Sequence, residues 1–129
     1  MREPAASFVP SAETSAAPEP WSHPWLDQLG LRYHQAIAEK IRTRPQLIQT
    51  AIANIDRWLA RNDYPPGPRR ALLEWRDFLT SASVDEVVSR LTDPSELGHQ
   101  RRQNTPFAGV LTDEERRAIR ERYEQATTP

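Results

Sequence analysis

Apolar side chains recur at intervals of three and four residues along most of the chain, which is the period of an amphipathic helix. One run predicts a helix over about residues 24–42 and contains Leu29, Tyr33, Ala36, Ile37 and Ile41. The most regular run predicts a second helix over residues 44–61 and contains Ile48, Ala51, Ile52, Ile55, Trp58 and Leu59. A third run begins near residue 68, ends near residue 80 and contains Ala71, Leu72, Trp75, Phe78 and Leu79. The pattern therefore predicts two longer helices with a third packed across them.

Helix starts are indicated by a hydroxyl residue followed three positions later by Glu or Gln, the spacing of a capping box. This spacing occurs at Thr43 with Gln46, at Ser83 with Glu86 and at Thr112 with Glu115. The three sites predict the start of the second helix, of a short fourth helix over residues 84–91 and of a C-terminal helix. Prolines force a corner at residues 63–68, and Asp93, Pro94 and Glu96 predict a short, exposed fifth element. No segment alternates like a strand, so the expected fold is all-α, a compact bundle of about five to six helices.

Residues 1–24 differ from the rest in composition, with five prolines and several alanines and serines. Such a segment buries too little apolar surface to offset the entropy cost of ordering it. We therefore expect a disordered tail over residues 1–24 and a helical domain over residues 25–126. Trp21 and Trp25 are interpreted as side chains that cap the core of this domain, since aromatic residues beside a helix start are usually packed.

The most unusual stretch is residues 101–116, in which an apolar centre without helical or alternating period lies between strongly polar flanks. Pro106 lacks a backbone donor and Gly109 permits backbone angles that other residues avoid. Residues 107–111 are therefore expected to cross a surface as an extended, anchored segment. The candidate partner-binding residues are Arg101, Arg102, Gln103, Pro106, Phe107, Val110, Leu111 and Arg116.

Two hypotheses account for the apolar residues of this segment. In the first, Phe107, Val110 and Leu111 form the centre of a protein interface that the arginines and Gln103 surround. In the second, Phe107 and Leu111 fold back and fill the core of the protein itself. The sequence leaves both hypotheses open.

Composition limits the other possibilities. The 129 residues, 37% of them hydrophobic, allow one domain with a modest core. A net charge of −1 gives no basic excess for non-specific binding of nucleic acid. There is no cysteine, which excludes disulfides and thiolate ligands. No apolar run approaches the roughly 18 residues of a membrane span, and Glu3, Pro4 and Pro10 interrupt any secretion signal, so a cytoplasmic protein is expected.

Signals for catalysis are lacking in the sequence. His23, His34 and His99 are too widely spaced for a local metal site, and no phosphate loop, nucleophile elbow or dinucleotide fingerprint occurs. We therefore expect a protein that is not an enzyme and has no cofactor, with His34 at the boundary of the core. A DNA-binding regulator is the alternative, because the second helix carries an exposed-looking polar set of Gln46, Gln49, Thr50, Asn54 and Arg57. Arg42 and Arg44 would then contact phosphates.

The segment Arg-Gln-Asn-Thr-Pro-Phe-Ala-Gly-Val-Leu-Thr at residues 102–112, followed by Glu114, Glu115 and Arg116, resembles a family of small, mostly uncharacterised bacterial proteins. Residues 34–40, 54–59 and 74–76 also fit the pattern, and the resemblance covers about residues 28–123. It implies an antitoxin-like protein that binds a nucleotidyltransferase-like or other toxin encoded beside it. The resemblance supplies no catalytic residues and leaves the oligomeric state open.

Overall fold

A computed structural model describes residues 18–128 of the chain, and in this range the regular elements are all helices. The helices are α1 His23–Thr43, α2 Leu47–Leu59, α3 Pro66–Ser81, α4 Val84–Leu91, α5 Glu96–Arg102 and α6 Asp113–Thr127. The prediction of an all-α bundle of about five to six helices is confirmed. Most of the predicted tail lies outside the described residues, and α1 begins two residues before the expected start of the domain at residue 25.

Capping chemistry sets several of the helix starts. Ser83 and Thr112 each form both hydrogen bonds of the predicted capping box, at the starts of α4 and α6. The prediction of a capping box at Thr43 and Gln46 is wrong. Thr43 is the last residue of α1, where its hydroxyl donates to the Lys40 carbonyl at 3.0 Å, and Gln46 makes no side-chain cap bond. Because α1 continues through Thr43, this residue lacks the extended backbone that a cap needs.

α1 is the central element, since it contacts α2, α4, α5 and α6, while α3 packs on α2. The main core lies between these helices, and its most deeply buried side chains are Ile41, Ala51, Ile55, Leu72, Val87 and Leu91. A second cluster of Trp25, Leu29 and Tyr123 joins α1 to α6. The capping interpretation therefore holds for Trp25, which is fully buried, whereas Trp21 is 56% exposed. None of the helices in residues 18–128 is both long and apolar enough to cross a membrane.

The fifth helix, α5, is short as expected, but one side of it is anchored rather than exposed. Gly98 and Arg102 are buried, and a Cβ atom added at Gly98 would collide with the backbone oxygen of Asp93. This close approach requires glycine and holds α5 against the turn that precedes it. The anchored helix fixes the position from which the next segment starts.

Candidate functional site

Residues 103–112, called here the Pro-Phe segment, join α5 to α6 through a tight turn. The Val110 N–H donates to the Phe107 carbonyl at 3.2 Å, and Gly109 between them has a φ of 83°. A positive φ at the third position is the requirement of a type II turn, and it favours glycine. The expected extended path across a surface is therefore wrong, because the chain turns back on itself at Gly109.

The apolar side chains of the Pro-Phe segment point into the protein. Phe107, Val110 and Leu111 are 2%, 4% and 5% exposed, and Pro106 is also fully buried. The Phe107 ring meets the Trp75 ring edge to face, with 5.9 Å between the ring centroids. The second hypothesis, in which these residues fill the core, describes their position. They are not exposed for contact with a partner, as the first hypothesis required.

Asn54 of α2 holds the backbone of the segment. Its Nδ2 atom donates to the carbonyls of Pro106 and Ala108, each at 2.9 Å, and its Oδ1 atom accepts from Arg57. Both functions of the amide are therefore used, and the side chain is only 5% exposed. Only the DNA-binding alternative placed Asn54 on an exposed surface, and its amide instead satisfies buried carbonyls.

Lys40, the only lysine of the chain, links α1 to both ends of the turn. Its Nζ atom donates to the Val110 carbonyl at 2.9 Å and to Oε1 of Glu115 at 2.8 Å. The same carboxylate oxygen accepts the Thr112 N–H that completes the capping box of α6. Hydrogen bonding to Lys40 holds the pKa of Glu115 below its usual value. One ammonium group thus joins α1, the Pro-Phe segment and the start of α6.

His34 anchors the beginning of the segment. Its Nδ1 lies 2.7 Å from the Gly30 carbonyl, which can only accept, so Nδ1 carries the proton. Nε2 then accepts from the Thr105 hydroxyl at 2.8 Å, and that hydroxyl in turn accepts from the Phe107 N–H. Burial lowers the pKa of His34 to about 4, so the ring is neutral. The side chain is 6% exposed and lies inside the core, not at its boundary as expected.

The polar residues predicted to surround the interface have separate roles. Arg102 is buried, and its Nη1 atom donates to the carbonyls of Leu91 and Asp93, the latter at 2.6 Å. Gln103 and Arg116 are exposed, and the Arg116 guanidinium lies 4.4 Å from the Tyr33 ring centroid. Arg101 is partly exposed and lines a groove. The residues proposed as one surface are therefore divided between the interior and the surface.

Two adjoining depressions between α1 and α6 form the α1–α6 groove, with volumes of about 440 and 350 Å³. Both are lined by Ala36, Glu39, Ile119 and Arg122. One end reaches Leu111, Glu115 and Ala118, and the other reaches Arg32, Gln35, Tyr123 and Ala126. The floor is mostly apolar and rich in alanine. Sequence reasoning missed this groove, because α6 carries few apolar residues and its alanines give no periodic signal.

A second groove of about 680 Å³, called here the α3–α5 groove, lies on the outer side of Trp75. Its lining includes Trp75, Phe78, Leu97, Glu74, Asp77, Arg90 and Arg101. The Trp75 indole N–H donates to the Arg101 carbonyl at 3.1 Å, which fixes α5 beside α3. Arg101 is thus the one predicted site residue found in this groove.

In residues 18–128 no three His, Asp or Glu side chains cluster as a metal site would require. Comparisons of the chain with protein-family models, with curated proteins and with solved structures find no match. A function for this chain must accordingly be argued from its own surface.

Proposed function

We propose that the protein is a non-catalytic, antitoxin-like inhibitor that neutralises a partner toxin by direct contact. The partner contributes an amphipathic helix that lies in the α1–α6 groove. The observation that carries this proposal is the groove itself, an elongated depression with an apolar floor at the protein surface. Helix-in-groove recognition uses such a surface, and the helix anchors itself through apolar side chains one turn apart.

The dimensions of the groove suit a short helix. The α6 wall from Glu115 to Ala126 is about 17 Å long at the helical rise of 1.5 Å per residue, the length of three turns. Ala36, Ala118 and Ala126 have small side chains, so a partner helix can approach closely. Arg122 and Glu39 are exposed where the two depressions adjoin, and exposed charged groups orient a partner more than they add affinity.

The Pro-Phe segment supports this surface from the inside. Leu111 lies at one end of the groove, and Lys40 joins Glu115 of α6 to α1 at the same end. The segment that resembles the antitoxin-like family then acts as a brace, since it holds the two walls at a fixed separation. Preorganisation of this kind lowers the entropy cost of binding.

The alternative function, a DNA-binding regulator, receives less support from the side chains of α2. The Asn54 amide is used inside the protein, and Arg57 donates to it. Arg42 forms ion pairs with Glu39 and Asp85, which reduces its availability to phosphates. Binding of operator DNA is therefore tested together with binding of the partner protein.

Two alanine variants test the proposal. Ala118→Arg fills the α1–α6 groove, whereas Ala53→Arg adds the same side chain to an exposed position of α2. With the product of the adjacent gene as the partner, calorimetry should give at least a tenfold weaker complex for Ala118→Arg, about 1.4 kcal/mol, and no change for Ala53→Arg. Equal affinities of the two variants for the partner would refute the α1–α6 groove as the binding site. Salt-dependent binding of operator DNA without a protein complex would favour the regulator.

A further inference from the structure

The α3–α5 groove carries opposite charges on its two walls. Glu74 and Asp77 lie on the α3 wall, and Arg90 of α4 with Arg101 of α5 lies on the other. Within residues 18–128, none of these four side chains takes part in an ion pair of 4 Å or less. The walls therefore present two acids and two arginines that no ion pair at contact distance closes off, although Glu74 lies near enough to Arg90 to interact with its charge.

The same groove has two aromatic side chains at its base and an exposed leucine beside them. Trp75 is 3% exposed and Phe78 is partly buried, while Leu97 on the α5 wall keeps 51% of its surface exposed. Arg90 stacks on the Phe78 ring, with 3.6 Å from the guanidinium carbon to the ring centroid. The guanidinium therefore covers one face of the Phe78 ring and leaves the rest of that side chain partly exposed. Leu97 is thus a free apolar side chain next to a cavity that such a side chain can fill.

We propose that the α3–α5 groove is a self-association surface, in which a second copy of this chain docks around a two-fold axis parallel to the groove. Under that symmetry the acidic wall of each copy faces the arginine wall of the other. Leu97 of each copy packs against the exposed part of Phe78 in the groove of its partner. A two-fold interface must be self-complementary in this way.

The charge pattern selects a second copy over other occupants. A nucleic acid or a uniformly acidic peptide would be attracted by Arg90 and Arg101 but repelled by Glu74 and Asp77 across the groove. A uniformly basic segment would be attracted by Glu74 and Asp77 but repelled by Arg90 and Arg101. A second copy places an acidic wall opposite each arginine wall. Any other arrangement of the two copies would place like charges opposite each other, which disfavours it. The surface includes no residue of the α1–α6 groove, so it is independent of the proposed function.

A pair of leucine variants tests the apolar part of the proposal. Leu97 and Leu73 are equally exposed, at 51% and 50%, but Leu73 does not line the groove. In sedimentation equilibrium over a range of concentrations, the full chain should rise from 14.8 kDa toward twice that mass. Leu97→Asp should stay monomeric and Leu73→Asp should behave as the parent chain. A parent chain that is monomeric throughout, or a Leu97→Asp variant that still dimerises, overturns the proposal.

Charge exchange tests the symmetry. The variant Glu74→Arg/Asp77→Arg has two basic walls, and the variant Arg90→Glu/Arg101→Glu has two acidic walls. Each should be monomeric alone, because like charges then face each other in the two-fold dimer. An equimolar mixture should form heterodimers, with circular dichroism confirming that both variants are helical. A mixture that stays monomeric would show that these walls do not meet.

Discussion

Truncating Phe107 to alanine should destabilise the fold strongly. Phe107 is 2% exposed and belongs to the main core, where its ring meets Trp75 at 5.9 Å. Removal of a buried phenylalanine side chain costs about 3–5 kcal/mol, which combines the lost transfer free energy with the cavity left behind. The aromatic pair accounts for roughly 1 kcal/mol of that loss. This loss is a large share of the total, because small domains have only about 5–15 kcal/mol of stability.

Urea unfolding followed by circular dichroism measures this effect. With a slope of about 1.5 kcal/mol per molar urea, a loss of 4 kcal/mol lowers the unfolding midpoint by roughly 2.7 M. Phe107→Leu is the intermediate control, since leucine keeps most of the buried apolar volume but loses the aromatic pair, and it should cost clearly less than the alanine variant. A Phe107→Ala variant that loses less than about 1 kcal/mol would refute the internal role of the ring. The side chain would then be free for a partner, as the interface hypothesis required.

Three further changes test the contacts that hold the Pro-Phe segment. Asn54→Asp keeps the shape of the side chain but cannot donate to the Pro106 and Ala108 carbonyls, so the free energy of unfolding should fall by about 2–3 kcal/mol. Thermal unfolding measures this loss, and Asn62→Asp at an exposed position is the neutral control. Lys40→Met should cost about 1 kcal/mol, because the ion pair is partly exposed, and NMR titration should find the pKa of Glu115 raised toward its usual value. Burial lowers the pKa of His34 to about 4 from 6.5, so the unfolded chain binds the proton more tightly. Stability should therefore fall between pH 6.5 and 4 by up to about 3 kcal/mol, and His34→Gln should flatten that part of the curve.

The helices were predictable because their signals are local. Apolar spacing located the first three, and the chemistry of Ser83 and Thr112 located the starts of α4 and α6. The same rule failed at Thr43, where the spacing was present but α1 continued through it. A capping box needs an extended residue at the cap, and the fold decides that backbone conformation.

The sequence marked the Pro-Phe segment as unusual, but it did not predict that the apolar side chains of the segment point into the protein. Its anchors, Asn54 and Lys40, lie 52 and 70 residues away from the carbonyls they bind. Asn54 did give a signal, because it stands three residues after Ala51 and beside Ile55 in the apolar stripe of α2. A polar side chain inside such a stripe usually satisfies a buried group. The two grooves gave no comparable signal, since each depends on how helices pack against one another, which apolar spacing along the chain does not specify.

Several residues of stretches 34–40, 54–59 and 74–76 hold the Pro-Phe segment in place. His34, Lys40 and Asn54 bond to it, and Trp75 packs against Phe107. These contacts lie inside the protein, so they account for the fold rather than for the choice of a partner. Under the proposed function, selectivity for a partner comes from exposed residues outside these contacts, such as Ala118 and Arg122 in the α1–α6 groove. Changes there should alter binding at constant stability, whereas changes to the anchors should alter stability first.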